Sequence, residues 1–231
     1  MQMLIISDIH GNLVALDTVL RKIKVDKIIC LGDLVDYGPM PRECIELIKD
    51  MKIPTVRGNH DNAVANRIDC GCGYEYKHLS QITREFTFQE LQQQHISFLK
   101  KLPLSLTETI DGHKYYFTHG SPNSMYEYIR PETSSDKIKN MLEDVEADFV
   151  FIGHSHVPFR RNIDSKTIIN AGSVGQPRDG DSRTCCILFD TVSLNFEIIR
   201  IEYDVETVFN QIRNKKIPNS DELVSILRRG Y

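Results

Sequence analysis

No stretch of this 231-residue chain approaches the ~20 consecutive apolar residues that a membrane helix needs, so no span is expected. A secretory leader is missing too. Met1 runs at once into MLIISDIHG, where Asp8 and His10 interrupt the apolar stretch before any leader could form. These two absences point to a cytoplasmic protein. Basic residues are not in excess: 28 Lys and Arg stand against 32 Asp and Glu, for a formal charge of −4. Long nucleic acid is therefore not an expected partner. There is no internal repeat, no low-complexity tract and no linker rich in Pro, Gly or Ser, which speaks for one domain over residues 1–231. The 6 cysteines read as reduced thiols. Cys70-Gly71-Cys72 reads as a plain loop, because a lone CxC is weak evidence for metal or redox chemistry.

What the chain does have is a recurring grammar. Apolar, β-rich runs end in polar clusters: MLIIS before Asp8-Ile9-His10, KIICL before Gly32-Asp33, IPTV before Gly58-Asn59-His60-Asp61, KYYFT before His119, and DFVFI before Gly153-His154-Ser155-His156. The runs do not alternate polar with apolar, so the strands should be buried on both faces. Helical spacing fills the gaps over Asn12 to Ile23, Pro41 to Met51, Phe88 to Leu102 and Asp136 to Val145. KTIINAGS, TCCILFDT and LNFEIIRIEY follow as successive strands, read as a second, partly antiparallel sheet. One or two helices should close the chain over about 204–231, and about 62–90 reads as a lid or insert. The expected fold is α/β: a four-layer α-β-β-α sandwich of two mixed sheets.

Ligands of open α/β sheets bind beyond the carboxyl ends of the strands. The five clusters all lie at such ends. Folding should bring Asp8, His10, Asp33, Asn59, His60, His119, His154 and His156 to one rim. Each cluster alone could be a turn or a helix cap; their convergence is the argument. Imidazole, carboxylate and amide oxygen form a nitrogen and oxygen ligand set for Mn, Fe, Zn, Co or Ni. The set is too large for one ion and suits two, bridged by a carboxylate and roughly 3.5–4 Å apart. Two carboxylates leave such a centre cationic, so its substrate should be an anion, with phosphate esters the obvious class.

Asp8-x-His10, Gly32-Asp33-x-x-Asp36, Gly58-Asn59-His60-Asp61, His119-Gly120 and Gly153-His154-x-His156 occur in this order. Together they resemble the calcineurin-like metallophosphoesterase superfamily. GDLVDYGPMPRECIELI, THGSP and NAGSVGQPRDGD further resemble its small prokaryotic phosphoesterases. The resemblance implies two divalent transition-metal ions, Mn first among them. Asp8, His10, Asp33 and His156 would hold one; Asp33, Asn59, His119 and His154 would hold the other. His60 would sit beside the phosphate and Asp36 would orient or charge-stabilise it. Asp61 is expected to cap a helix.

Protein Ser/Thr phosphatases of the superfamily carry Arg where this chain has Tyr37. Arg178 is the candidate substitute, if it is not paired with Asp179 or Asp181. Tyr74, Tyr76, Tyr126 and Tyr128 flank the motifs and could stack on a nucleobase or pack under a loop. The expected activity is hydrolysis of a phosphate mono- or diester of a small molecule, with a nucleotide or dinucleoside polyphosphate in view, by in-line attack of a metal-bound hydroxide. A protein Ser/Thr phosphatase and a non-enzymatic scaffold of the same fold are the alternatives. A small phosphorylated substrate is the expected partner, with no membrane partner and with room for a homodimer.

Overall fold

The computed structural model describes residues 1–231 apart from the side chains of Tyr74 and Glu75. Tyr74, named above as a stacking candidate, thus lies outside the described residues. The strands are β1 (Gln2–Ile6), β2 (Lys27–Cys30), β3 (Ser105–Ile110), β4 (His113–Thr118), β5 (Phe149–Ile152), β6 (Phe159–Ile163), β7 (Lys166–Asn170), β8 (Thr184–Asp190) and β9 (Phe196–Ile201). The helices are α1 (Leu13–Lys22), α2 (Pro41–Asp50), α3 (Asn59–Asn66), α4 (Tyr74–Glu90), α5 (Gln93–Lys101), α6 (Ser135–Met141), α7 (Val205–Asn214) and α8 (Ser220–Arg229). No helix is long and apolar enough to cross a membrane among the described residues.

Two mixed sheets result, ordered β2-β1-β8-β9 and β3-β4-β5-β7-β6. Side chains alternate across each strand and both faces are covered, which is why the sequence shows unbroken apolar runs. Met3 and Ile5 of β1 join Phe149 and Phe151 of β5, with Tyr115, Phe117 and Phe189, in the core between the sheets. Leu4 and Ile6 point the other way, onto Leu16 of α1, Ile45 of α2 and Leu99 of α5. Val150 and Ile152 meet Ile138 and Met141 of α6 on the far side. The layers are therefore α-β-β-α. Helices α7 and α8 pack with α4 against Tyr37.

Several expectations change. The strands of the last third do not build a sheet of their own. β8 and β9 complete the sheet of β1, while β7 pairs with β5. The run before Gly58 makes only an isolated bridge, from Thr55 to Cys30. Phe88 to Leu102 is not one helix. Leu91 leaves helical geometry and Gln92 caps α5, its N–H donating to His95 Nδ1 at 3.0 Å. Strands β3 and β6 carry little apolar signal because exposed or half-buried residues dominate them, and both lie at sheet edges.

Candidate metal centre

The turns after β1, β2, β4 and β5 meet the start of α3, and every residue expected at the rim is there. Asp8, His10, Asp33, Asn59, His119, His154 and His156 are at most 3 % exposed. Nitrogen or oxygen atoms of Asp8, His10 and His156 lie within 4.8 Å of one another; so do those of Asp33, His119 and His154, and of His10, Asp33 and His60. Asp33 belongs to the last two groups. Asn59 Oδ1 is 2.9 Å from His119 Nε2.

Each carboxylate is divided between two tasks. Asp33 Oδ1 accepts the His60 N–H at 2.9 Å, and Oδ2 faces Nε2 of His119 at 3.2 Å and of His10 at 3.7 Å. Asp8 Oδ2 accepts the His154 N–H at 3.1 Å, and Oδ1 faces His156 Nε2 at 3.2 Å. The imidazoles are sorted the same way. Nδ1 of His10, His119 and His156 donates to the carbonyls of Val35, Leu31 and Gln176 at 2.9, 2.8 and 2.5 Å. In a neutral ring that leaves Nε2 as the lone-pair donor, as at His10 and His156, the arrangement that orients metal-ligating histidines. His10 Nε2 and His156 Nε2 then stand 3.2 Å apart, lone pair towards lone pair. A cation between them removes that repulsion. Asp8 Oδ1, Asp33 Oδ2 and His154 Nε2 lack a hydrogen-bond partner among the described residues. The donor set and its geometry fit divalent metal.

Electrostatics keep most of these groups in ligand form. Burial pushes the imidazoles of His10, His154 and His156 down, so they stay neutral. Burial alone would raise the Asp8 and Asp33 carboxyls, but His156 beside the first and His119 beside the second hold both below the usual range. His119 is the exception. Burial lowers it, yet the Asp33 carboxylate prevails and lifts it to about 9.

The turns are strained. Asp8, His10, Asp33, Asp36, Tyr37, His154 and His156 all have φ between 47° and 65°, a conformation that costs a non-glycine residue about 1–3 kcal/mol. Neighbours hold them there. Asp61 accepts the N–H groups of Asp33 and Leu34 at 2.8 Å and of Gly58 at 3.0 Å. It caps α3 as expected and also fastens two motifs together. Burial and the Asp33 charge push its carboxyl up to about 7. Gly58 is needed for close approach rather than for a turn, since a Cβ there would stand 2.0 Å from Asp33 Oδ1. Ser173 donates to the Asp8 carbonyl at 2.7 Å, and Asn170 to the Gly153 carbonyl at 2.6 Å. These two braces, and the Gln176 carbonyl, lie in NAGSVGQPRDGD, where no polar cluster announces a ligand.

Around the ligands, His60 Nδ1 is 2.7 Å from Asp36 Oδ2. Arg178 does not pair with Asp179 or Asp181, which Arg200 and Arg183 engage. Its guanidinium lies 3.8 Å from the Tyr76 ring centre and 5.8 Å from that of Tyr37, and donates to Gln176 Oε1 at 3.1 Å. Tyr128 stacks on His154 at 3.8 Å between ring centres. The Tyr126 hydroxyl accepts from Asn62 at 2.7 Å. Cys70 and Cys72, expected as free thiols, are joined by a disulfide. Gly71 turns the chain at φ 62°, and both sulfurs fold back onto Ala63, with the Cys70 carbonyl accepting from Asn59 Nδ2 at 2.8 Å.

The calcineurin-like phosphoesterase superfamily domain matches residues 1–193. An uncharacterized protein of Methanocaldococcus jannaschii is 36% identical over 234 residues, covering 93% of each chain. Serine/threonine-protein phosphatase 2 of Escherichia coli is 25% identical over 194 residues, 75% of this chain and 88% of that one. The crystal structure of a metallophosphoesterase from Sphaerobacter thermophilus superposes with a TM-score of 0.85 at 33% identity, covering 100% of this chain and 99% of that one. With a matching fold, and with a buried cluster of metal-ligating groups at the strand ends, the chain belongs to the calcineurin-like phosphoesterase superfamily, a family of metal-dependent phosphoesterases.

Proposed function

We propose that the protein hydrolyses a phosphate ester of a small molecule, with a nucleotide or dinucleoside polyphosphate as the favoured class, at a centre of two divalent ions. One ion would be held by Asp8, His10, Asp33 and His156, the other by Asp33, Asn59, His119 and His154. The carrying observation is the His10–His156 contact of 3.2 Å between ring nitrogens whose other nitrogens already face carbonyls. Divalent ions held there would supply Lewis acidity to a water and to the phosphoryl oxygens.

The chain's own groups supply the rest. Asp36 fixes His60 through Nδ1, leaving Nε2 for the substrate. His60 then protonates the departing oxygen or stabilises its charge. Arg178, unclaimed by the neighbouring aspartates, addresses the phosphate from the rim. The buried ligands exclude bulk water from the reacting oxygens.

The test is direct. Chain stripped of metal and reloaded with Mn²⁺ should turn over bis(p-nitrophenyl) phosphate and retain two ions per chain; one ion per chain contradicts the two-metal assignment. A phosphate-release screen over nucleotides and dinucleoside polyphosphates then assigns the class. No turnover with any divalent metal would favour a scaffold. The similarity to the E. coli protein phosphatase raises a second reading, action on phosphoserine or phosphothreonine. Tyr37, where those enzymes carry Arg, speaks against it.

A further inference from the structure

Asp36 is fully buried, and among the described residues one carboxylate oxygen receives all of its side-chain hydrogen bonds. Oδ2 is 2.7 Å from His60 Nδ1, and also accepts from Arg84 Nε at 3.1 Å and from the terminal NH2 of Arg84 at 2.7 Å. Asp36 Oδ1 has no partner among the described residues. Arg84 is itself 7 % exposed, donates to the Ile68 carbonyl at 3.3 Å, and brings a terminal nitrogen within 3.5 Å of His60 Nδ1. It arises from α4, 48 residues further along the chain, outside every motif that marks the metal centre. The preceding residue acts on the same turn: Thr83 Oγ1 accepts the Tyr37 N–H at 3.1 Å. Asp36 and Tyr37 are consecutive residues at φ 65° and 60°, and consecutive residues of α4 hold both.

We propose that Arg84 is a positioning residue for the reaction: its planar fork fixes the Asp36 carboxylate against His60 Nδ1, and so fixes which nitrogen and which edge of the His60 ring the substrate meets. The inference rests on the reading of His60 given above. A buried carboxylate with one anchored oxygen can rotate about its last bond. The guanidinium engages that oxygen from two of its nitrogens, removing the freedom and balancing the buried charge. Lysine would keep the charge but not the two-point geometry. Helix α4 in turn is anchored by Leu79 and Phe86, packed with Val208, Phe209 and Leu227 of the C-terminal helices. Orientation of the acid thus derives from a helix that lies outside the motifs of the candidate metal centre.

The experiment has two independent readouts. In protein labelled with ¹⁵N-histidine, the parent should show a slowly exchanging His60 Nδ1–H resonance. Arg84→Ala should lose it and Arg84→Lys should retain part of it. An unchanged resonance in Arg84→Ala overturns the proposal, whatever the protein hydrolyses. In turnover of Mn²⁺-loaded protein, Arg84→Ala should lower kcat by about 10–100-fold, the usual effect of losing a partner that orients a reacting group. KM and metal content should stay near the parent values. The loss should be larger for alkyl or phenyl diesters than for p-nitrophenyl diesters, and added guanidinium should restore part of it. An equal loss for all leaving groups, or a rise in KM alone, would overturn the positioning role. Should Arg84→Ala not fold, Arg84→Lys and Arg84→Gln carry both readouts. If the resonance is lost as expected but the parent hydrolyses no phosphoester, the proposed function fails while the positioning role stands.

Discussion

Asp33 cannot be replaced by its amide without consequence. One oxygen is committed to the His60 N–H, and the other faces two imidazoles. Asp33→Asn turns one of those positions into an N–H donor, and it removes the charge shared by two ligand groups. Both of the proposed ions should therefore be lost or weakened, whereas His156→Ala should mainly deplete one; metal analysis after gel filtration decides it, and equal depletion by both variants would contradict a bridging Asp33. His60 behaves differently. His60→Ala should lower kcat by about 10²–10⁴, the worth of positioned acid–base help, with near-normal metal content and a smaller loss for good leaving groups. Metal loss as severe as that of His156→Ala would make His60 a ligand. The convergence of the candidate ligands was legible in the sequence because each sits in a short motif at a strand end, where residue type, turn and topology coincide. Arg84 was not. A single arginine inside a helix has no local signature, and its partner is brought to it only by folding.

Elements were legible where the pattern is local. Asn12 caps α1 by accepting from Ala15 N at 3.1 Å, and the buried stripe of Ala15, Leu16, Val19 and Leu20 follows. The break between α4 and α5 was hidden because periodicity continues across it; the His95 ring, accepting from the Gln92 N–H, marks the new start. The disulfide was hidden for a related reason: spacing does not say whether a glycine will turn two side chains towards each other. A loop contact carries the prediction at this scale. The Arg183 side chain, against the opposing effect of burial, holds the Asp181 carboxyl down at about 2 from its ordinary 3.8. Asp181 also packs on Gly230, beyond the end of α8. A depressed folded-state value stabilises the fold above about pH 4 and is lost as pH falls towards 2. Asp181→Asn should therefore flatten thermal stability against pH in that window. Identical slopes for parent and variant would contradict the pair's contribution.

Across the whole fold, aromatic rings fill the space between the two sheets. Phe151 is fully buried, with the rings of Phe117 and Phe189 5.3 and 5.4 Å away, centre to centre. Removing it should cost about 3–5 kcal/mol, read as a fall in the denaturant midpoint at constant slope; a loss below 1 kcal/mol would mean the two sheets can close over the gap. Layering was legible from unbroken apolar runs, since only doubly covered strands read that way. Strand partners were not, because pairing between β1 and β8 joins segments far apart in the sequence, and an apolar strand does not encode which sheet it will enter.

That central strand has a consequence for how the chain is made. β1 emerges before its partners; β2 soon covers one edge, but the other edge waits for Thr184–Asp190. Until then a strand that is apolar from Met3 to Ile6 carries an open row of backbone donors and acceptors, the surface on which nascent chains pair wrongly with one another. Residues 8 to 156, which hold the ligand motifs, therefore leave the ribosome before the sheet that supports them can close. The long sequence separation of that closure predicts slow folding and places the hazard before any metal is bound.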